Sequence, residues 1–567
     1  MRLKYTILTL AIGLCAPSVS QANNDLSQFN FSSIEADQKN IKSMVFHWTS
    51  AATDSAVQYD LCEKNSASRD SCDVLDTLFL PANSGEHLQA SVSVDSVIDA
   101  ITKDYFILAR IDDKKLASNE QSISHDVATE MIGFFKSSDA SMINHFGYEV
   151  VLSDDGNTMI VSAPLQGTYV GCNSVHEKCQ GVYQAGQAYV FEKNNGSWKE
   201  TQILARRNPS EMDFMFHSMA LSGDGNWLAA ASNKKYASQD DLVFFKRQGG
   251  KFVQTHTVKL HDYGQRAKSL SKKPMSMSKD GGTLIVGHPE SLEKQGMVEV
   301  FRRYSDERYD DLNKIRTPNF EQDSSFGTSV AISSDGLHVL VGAPGYKGGD
   351  ANPTTGAAFV YTRKTTNSVW QQPVRLPTEH LENVNFGQSV DINKDGSLMV
   401  VSAPGNSSDK TLSGEISIFR RGEAGDFTVK SLKLLDGEAG FQLGLHLDLS
   451  SNEQHLAASI APEGSFGTGI YVGLRGQTEN KGYYPSVYLF EFDAEDDEFK
   501  QRGYVKATNY DGNTSGFGAS VKYNGKTLAV GGPYDSCAFQ GIVLDNSEVN
   551  QHCGDYEGMA QGAVFVY

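Results

Sequence analysis

Positive charge is in short supply. Lys and Arg number 50 against 69 Asp and Glu, a net charge of −19 over 567 residues. This balance argues against a nucleic-acid partner, because phosphate binding needs clustered Lys and Arg. It argues equally against electrostatic docking on anionic lipid. Past the N-terminus no apolar run approaches the roughly 18 residues of a membrane span, so no transmembrane segment is expected. Pro, Trp and Cys are few, at 15, 4 and 7. Enzymatic signatures are missing too. The chain carries no His-Glu-x-x-His, no Gly-x-Ser-x-Gly and no phosphate loop. The glycines of GSFGTG (464–469) lack a strand-to-helix context. The 14 His are dispersed, and His145 and His217 read as structural. No catalytic residue, metal or cofactor is therefore expected, and a monomer is.

Gly, at 52, with 29 Phe and 23 Tyr, favours β-structure with many tight turns. Apolar residues make up 39 % and are spread along the whole chain, which argues against disorder. Length alone suggests about three or four domains.

Residues 1–22 read as a secretory signal peptide: Arg2 and Lys4, an apolar run to about Ala16, then Ser20-Gln21-Ala22. A lipidated Cys15 is the alternative, but Leu14 stands where that chemistry wants a small residue. Cleavage leaves a net charge of about −21 and six Cys in three close pairs. Export implies an oxidising compartment. The simplest pairing is Cys62–Cys72, Cys172–Cys179 and Cys537–Cys553, each bridge contributing roughly 2–3 kcal/mol. Metal binding is the weaker reading, since no CxxC accompanies them.

An internal repeat organises the rest. FGYEVVLSDDGNTMIVSAP (146–164), FGTSVAISSDGLHVLVGAP (326–344) and FGQSVDINKDGSLMVVSAP (386–404) align without gaps. Asp-Gly between alternating apolar runs predicts a tight hairpin. Weaker copies start near 215, 271, 443 and 517, giving seven with a mean period of about 60. Met215-Phe216 and Ser271-Lys272 stand where Phe-Gly is lost. A third strand follows each hairpin, from AYVFEK (188–193) to AVFVY (563–567), and an aromatic usually opens a fourth. Four strands in seven units predict an all-β chain with a seven-bladed β-propeller. The last copy lacks its fourth strand. The apolar stretch around Ala128 to Phe135 is expected to supply it, within a closing strand at 127–136 of a propeller spanning 127–567, and so remove an open sheet edge.

Phe-Gly at the start and Gly-Ala-Pro after the second strand resemble the FG-GAP repeat of integrin α-subunits, in its bacterial form. The resemblance covers about 430 residues and implies a secreted or surface-exposed binding and adhesion scaffold. Integrin repeats place a calcium loop between strands one and two. Asp391 to Gly396 matches only its first half, with Met399 at the last ligand position. Its calcium sites are therefore not carried over. Ser-x-Asp-Gly also fits WD-type repeats and sialidase Asp-boxes, but no copy ends Trp-Asp and only Trp227 lies near a turn.

Residues 25–120 lack the repeat. MVFHW (44–48), VQYDLC (57–62) and YFILARI (105–111) have strand character. Trp48 and the Tyr-x-Ile-x-Ala pattern at Tyr105 resemble a fibronectin type III β-sandwich. Gln121 to Val127 would be the linker.

Three loops between strands two and three are long: 165–187, 463–486 and 534–562. They belong to neighbouring copies once a ring closes. Their candidate binding residues are Tyr169, Tyr183, Arg475, Tyr483, Tyr484, Tyr534, Asp535, Phe539 and Tyr556, accompanied by Phe466, Tyr471, Asp545, Asp555 and Glu557. Long loops on a rigid scaffold concentrate binding residues, and Tyr and Arg are favoured anchors. Such loops otherwise merely cover the rim. The expected ligand is a protein or glycan, unidentified. The rival function is a propeller hydrolase or lyase acting on extracellular polysaccharide, which would gather carboxylates at the central channel.

Overall fold

The computed structural model describes residues 26–567, apart from 53–54, 83, 140–143, 170–180, 195, 236–238, 261–271, 320, 349–355, 379–384, 406–412, 436–441, 461–468, 473–484, 509–515, 538–539 and 544–560. The expected signal peptide, residues 1–22, lies outside the described residues. Among those described, no helix is long and apolar enough to cross a membrane.

The chain divides into two compact units. The first takes residues up to Glu35, Val45–Val92 and Lys103–Ser122. One sheet holds Phe31–Ala36, Ser43–Thr49 and His87–Ser93; the other joins Asp73–Leu80, Val57–Glu63, Asp104–Ile111 and Lys114–Ala117, with Gln121–Ser122 on the Asp104 end. Rings from the two sheets meet, Trp48 with Tyr59 at 5.5 Å between centroids. Asp60 is buried and answered by Arg110 at 2.6 Å and Thr77 at 2.9 Å. Hydrogen bonds from Gln58, Arg110 and Thr77 outweigh the upward push of burial on its carboxyl. Cys62 and Cys72 form a disulfide.

The second unit takes Ala36–Met44, Ser93–Thr102 and Ile123–Tyr567. Two pieces from the front of the chain thus pack with the repeats, where a single division near 120–127 was expected. Among the described residues the repeats form seven sheets. Sheet I is Val150–Leu152, Thr158–Ala163, Gln187–Asn194 and Ser197–Leu204. Sheet II is Ser218–Leu221, Trp227–Ala231, Asp241–Gln248 and Lys251–Lys259. Sheet III is Met275–Met277, Thr283–His288, Met297–Arg303 and Tyr309–Ile315. Sheet IV is Ser329–Ile332, His338–Ala343, Ala357–Thr362 and Val374–Arg375. Sheet V is Val390–Ile392, Leu398–Ala403, Glu415–Arg421 and Phe427–Leu432. Sheet VI is Leu447–Leu449, His455–Ser459, Val487–Asp493 and Glu498–Lys506, with Gly469–Val472 added outside. Sheet VII is Ser520–Tyr523, Leu528–Gly532, Ala563–Val566 and Gly133–Phe135, with Ile542–Val543 added outside.

Every neighbouring pair in a sheet is antiparallel, as between Val150↔Val161 and Leu152↔Met159. A register shift recurs in the third strand at Val190/Phe191, Phe244/Phe245, Val300/Phe301 and Leu489/Phe490. Such a bulge sharpens the local twist. The apolar clusters lie between consecutive sheets: Ile160, Val190, Leu228 and Phe245 join I to II, and Phe135, Val161, Phe191 and Val566 join VII to I. The first strand of each sheet neighbours that of the next, and the first strand of VII neighbours that of I. This is the arrangement of a β-propeller.

The closing strand pairs Phe135 with Val564 and Gly133 with Val566. Residues 128–130, expected in that strand, are helical instead. Ser124 accepts a hydrogen bond from the Val127 amide and starts the helix His125–Glu130, a standard cap.

Candidate binding surface

The tight turn explains which side chains are free. In sheet I the Ser153 hydroxyl donates to Asp155 at 2.6 Å and accepts from the Thr158 amide at 3.1 Å. Asp155 accepts in turn from the Asn157 amide at 3.0 Å. Burial raises the Asp155 carboxyl, but these hydrogen bonds outweigh it and hold it below its ordinary value. Ser222/Asp224, Ser278/Asp280, Ser333/Asp335 and Ser450/Asn452 repeat the pattern. Asp395 is held down chiefly by Ser397. The turn acids are therefore spent on their own backbone, and among the described residues no cluster of three or more His, Cys, Asp or Glu could hold a metal. The turn tips also bond to one another: Asp154 amide to Gly223 carbonyl at 2.9 Å, Asp224 amide to Lys279 carbonyl at 3.0 Å, and Lys279 amide to Ser334 carbonyl at 3.1 Å.

The first strands line a cavity of about 150 Å³ at the turn end of the central channel. Innermost strands cannot pair with each other, so their side chains bridge the gap. The Val150 amide donates to Ser520 at 3.0 Å, and the Leu447 amide to Ser389 at 3.0 Å. Asp391 accepts from the Leu449 amide at 2.8 Å. Asp448 accepts from the Tyr523 amide and pairs with Lys522. Burial, and then the neighbouring Asp448, push the Asp391 carboxyl up to about 6.

At the other end of the channel, Lys272 stands where sheet III lost its glycine. Its ammonium reaches the Tyr148 carbonyl at 3.0 Å in sheet I and the Ala519 carbonyl at 3.4 Å beside sheet VII, and pairs with Glu149 at 3.0 Å. The Tyr148 hydroxyl and His217 Nε2 lie 3.0 Å apart. Burial, then Lys272 and Lys273, lower His217 to about 3, so it is neutral at physiological pH.

The predicted loop residues fare unevenly. Tyr183 is 58 % exposed and Tyr534 is 45 % exposed. The Tyr534 ring packs edge-on against His145 at 5.1 Å. Tyr169 lies in a short strand, Thr168–Tyr169, paired with Gly181–Val182. Asp535 does not belong on a binding surface. It is fully buried and ion-paired with Lys136, which directly follows the closing strand. A buried carboxylate needs such a partner, and this one locks the seam. Tyr471, grouped with the loops, lies in the outer strand Gly469–Val472 and stacks on Tyr504 at 4.8 Å. Gly469–Val472 and Ile542–Val543 therefore cover outer sheet edges rather than standing free. Cys537 is buried and disulfide-bonded, its partner not being among the described residues. Arg475, Tyr483, Tyr484, Phe539, Tyr556, Cys172, Cys179 and Cys553 lie outside the described residues, as do Phe466, Asp545, Asp555 and Glu557.

The channel cluster escaped the sequence reading, although a signal existed. The column five residues after Phe-Gly begins reads Val151, Ala220, Ser276, Ala331, Asp391, Asp448 and Lys522. Small residues give way to charge in three consecutive copies.

The FG-GAP repeat family matches residues 309–361, a stretch that includes Phe326-Gly327 and Gly342-Ala343-Pro344. The curated proteins contain no match. Among solved structures, hydrazine synthase of Kuenenia stuttgartiensis is 14 % identical, with 70 % of this chain and 93 % of that one covered and a TM-score of 0.40. The β-propeller domain of the Trilobed protease from Pyrococcus furiosus is 9 % identical, with 70 % and 91 % covered and a TM-score of 0.38. The RRP9 WD40 repeats are 11 % identical, with 76 % and 99 % covered and a TM-score of 0.40. Likeness this weak assigns neither activity nor ligand.

Proposed function

We propose that the protein is an exported, non-enzymatic recognition and adhesion module that binds a protein or glycan through the loop face of a seven-bladed, integrin α-like FG-GAP propeller. Seven sheets among the described residues, each neighbouring the next and the last neighbouring the first, support the blade count. Two sheets with Trp48 and Tyr59 meeting between them support a fibronectin type III-like domain in front. The leader-like N-terminus and the Cys62–Cys72 bridge support export.

One contrast carries the reading of the loop face. The turn aspartates at one end of the sheets are consumed by their own backbone, while Tyr183 and Tyr534 present large exposed rings at the other end. Exposed aromatic rings on a rigid scaffold are favoured anchors for protein and sugar surfaces. The test is a glycan array and a surface-protein pull-down with the full chain and with Tyr183→Ala/Tyr534→Ala. Loss of the captured ligand in the double variant supports the reading; unchanged affinity sinks it.

Asp391 and Asp448, side by side along the channel, favour the rival polysaccharide hydrolase or lyase. Against it, each already accepts a backbone amide of the next sheet. Polysaccharide cleavage that disappears in Asp448→Asn would establish the enzyme.

A further inference from the structure

The cavity at the turn end of the channel lies at the opposite end of the sheets from the loop face, and the proposed recognition role does not use it. Leu152, Leu221, Met277, Ile332 and Leu449 are among the residues that line it. Its wall carries Asp391, Asp448 and Lys522. The volume of about 150 Å³ far exceeds the space needed by one water.

Charge accounting shows what the cavity lacks. Lys522 is committed to Asp448. At the rim, Lys279 pairs with Asp154 at 3.4 Å and Lys394 with Glu453 at 3.4 Å. Among the described residues Asp391 accepts two amides, from Leu449 and from Ile392, both at 2.8 Å. No cation among the described residues lies within ion-pair distance of it. Lys522 acts on both carboxylates, so the wall carries one net negative charge, set back from bulk water where charge pairing strengthens. A divalent ion is a poor answer, because it wants several oxygen anions and the Lys522 ammonium stands beside the site. One monovalent head with three donors fits, since Asp391 keeps free lone pairs and Ser334 and Ser451 line the same cavity.

We propose that this cavity binds a small primary ammonium compound bearing hydroxyls, its charged head on Asp391 and its hydroxyls at the Ser334 and Ser451 rim. Amino alcohols and amino sugars are the chemical class. Proton and ligand compete for the same carboxylate, which burial and Asp448 push up to about 6. The charged groups facing it are Asp448 and Lys522 along the channel and Asp154, Lys279 and Lys394 at the rim.

The test is calorimetric titration of the full chain at pH 7.5 with ethanolamine and glucosamine, against ethylene glycol and glucose as uncharged counterparts. At least one amine should bind with a Kd of about 1 mM or tighter, and its uncharged counterpart should not. Asp391→Asn keeps an acceptor for the Leu449 amide and should weaken that amine roughly tenfold or more. The unaltered protein at pH 5 should weaken in the same direction. Absence of amine binding, equal binding of the uncharged counterpart, or full affinity in both Asp391→Asn and at pH 5 would overturn the proposal.

Discussion

The junction between sheets IV and V and the junction between sheets II and III solve one problem by different physics. At the first, the backbone of Gly356 bridges to Phe386, and Gly342 packs on Gly387. A Cβ on Gly356, whose φ is +76°, would drive into the Phe386 carbonyl. The second junction has lost its glycines. Lys272 takes the place of the Phe-Gly glycine in sheet III, and Asp240 stands where Gly356 would be in sheet II. Ions replace backbone contact there. Lys273 at the start of sheet III reaches Asp240 of sheet II at 2.6 Å. Next to Asp240, buried Asp241 is met from its own side by Arg206 at 2.6 Å, Lys234 at 2.6 Å, and Lys259, which fixes the strand end that Lys273 grips. The repeat motif is thus one way to close a ring, and a salt-bridge network is another.

The glycine junction should be the more fragile to substitution. Gly356→Val is expected to cost about 4 kcal/mol or to prevent folding, since both φ and the neighbouring carbonyl oppose it. Urea unfolding of the variant beside Asp240→Val measures this, and equal losses would erase the contrast. Asp241→Asn comes next, at about 3 kcal/mol, because it strands positive charge beside a buried site.

These two junctions also show how far the sequence could be read. Phe-Gly and Asp-Gly marked turns and sheets correctly because they report local backbone demands, a left-handed residue or a hairpin. A second recurrent glycine went unread: Gly296, Gly356, Gly414 and Gly562 bridge to the next sheet at Phe326, Phe386, Leu443 and Phe146, and Gly186 packs on the Met215 backbone. Its partner lies in the following copy, so no local pattern explains it. Asp535 misled for the same reason: an acid in a long loop looks exposed until Lys136, 399 residues away, is found beside it. Ala128 looked like strand because apolar residues cannot by themselves separate a short helix from an edge. The ionic junction and the channel charges are tertiary, and no spacing rule could have assembled them.

Acid should next test the charges that support the ionic junction from sheet II. Burial opposes ionisation of Asp241, but hydrogen bonds from Lys234, Lys259 and Arg206 win and lower it from 3.8 to about 2. Folding therefore weakens its hold on the proton. Its contribution is complete above pH 4 and disappears as pH falls through about 2, roughly 2 kcal/mol in all. The difference in unfolding free energy between the unaltered protein and Asp241→Asn, followed from pH 5 to pH 2, should shrink by that amount; a constant difference would show that the network works through packing instead.

Salt gives the smallest and cleanest discrimination. Lys273 and Asp240 keep 17 % and 11 % of their side chains exposed, so their attraction is only partly screened from solvent. Lys273→Met retains most of the aliphatic stem and removes the charge. It should cost about 1 kcal/mol at low ionic strength and much less near 1 M salt, where the screening length falls to roughly 3 Å. Gly356→Ala, tested in the same series, perturbs a backbone contact with no net charge. Its cost should be flat across the salt range. If both variants respond alike to salt, charge is not what holds sheets II and III together, and the junction must instead rest on the Phe244 and Tyr309 rings, which stack at 4.0 Å between them.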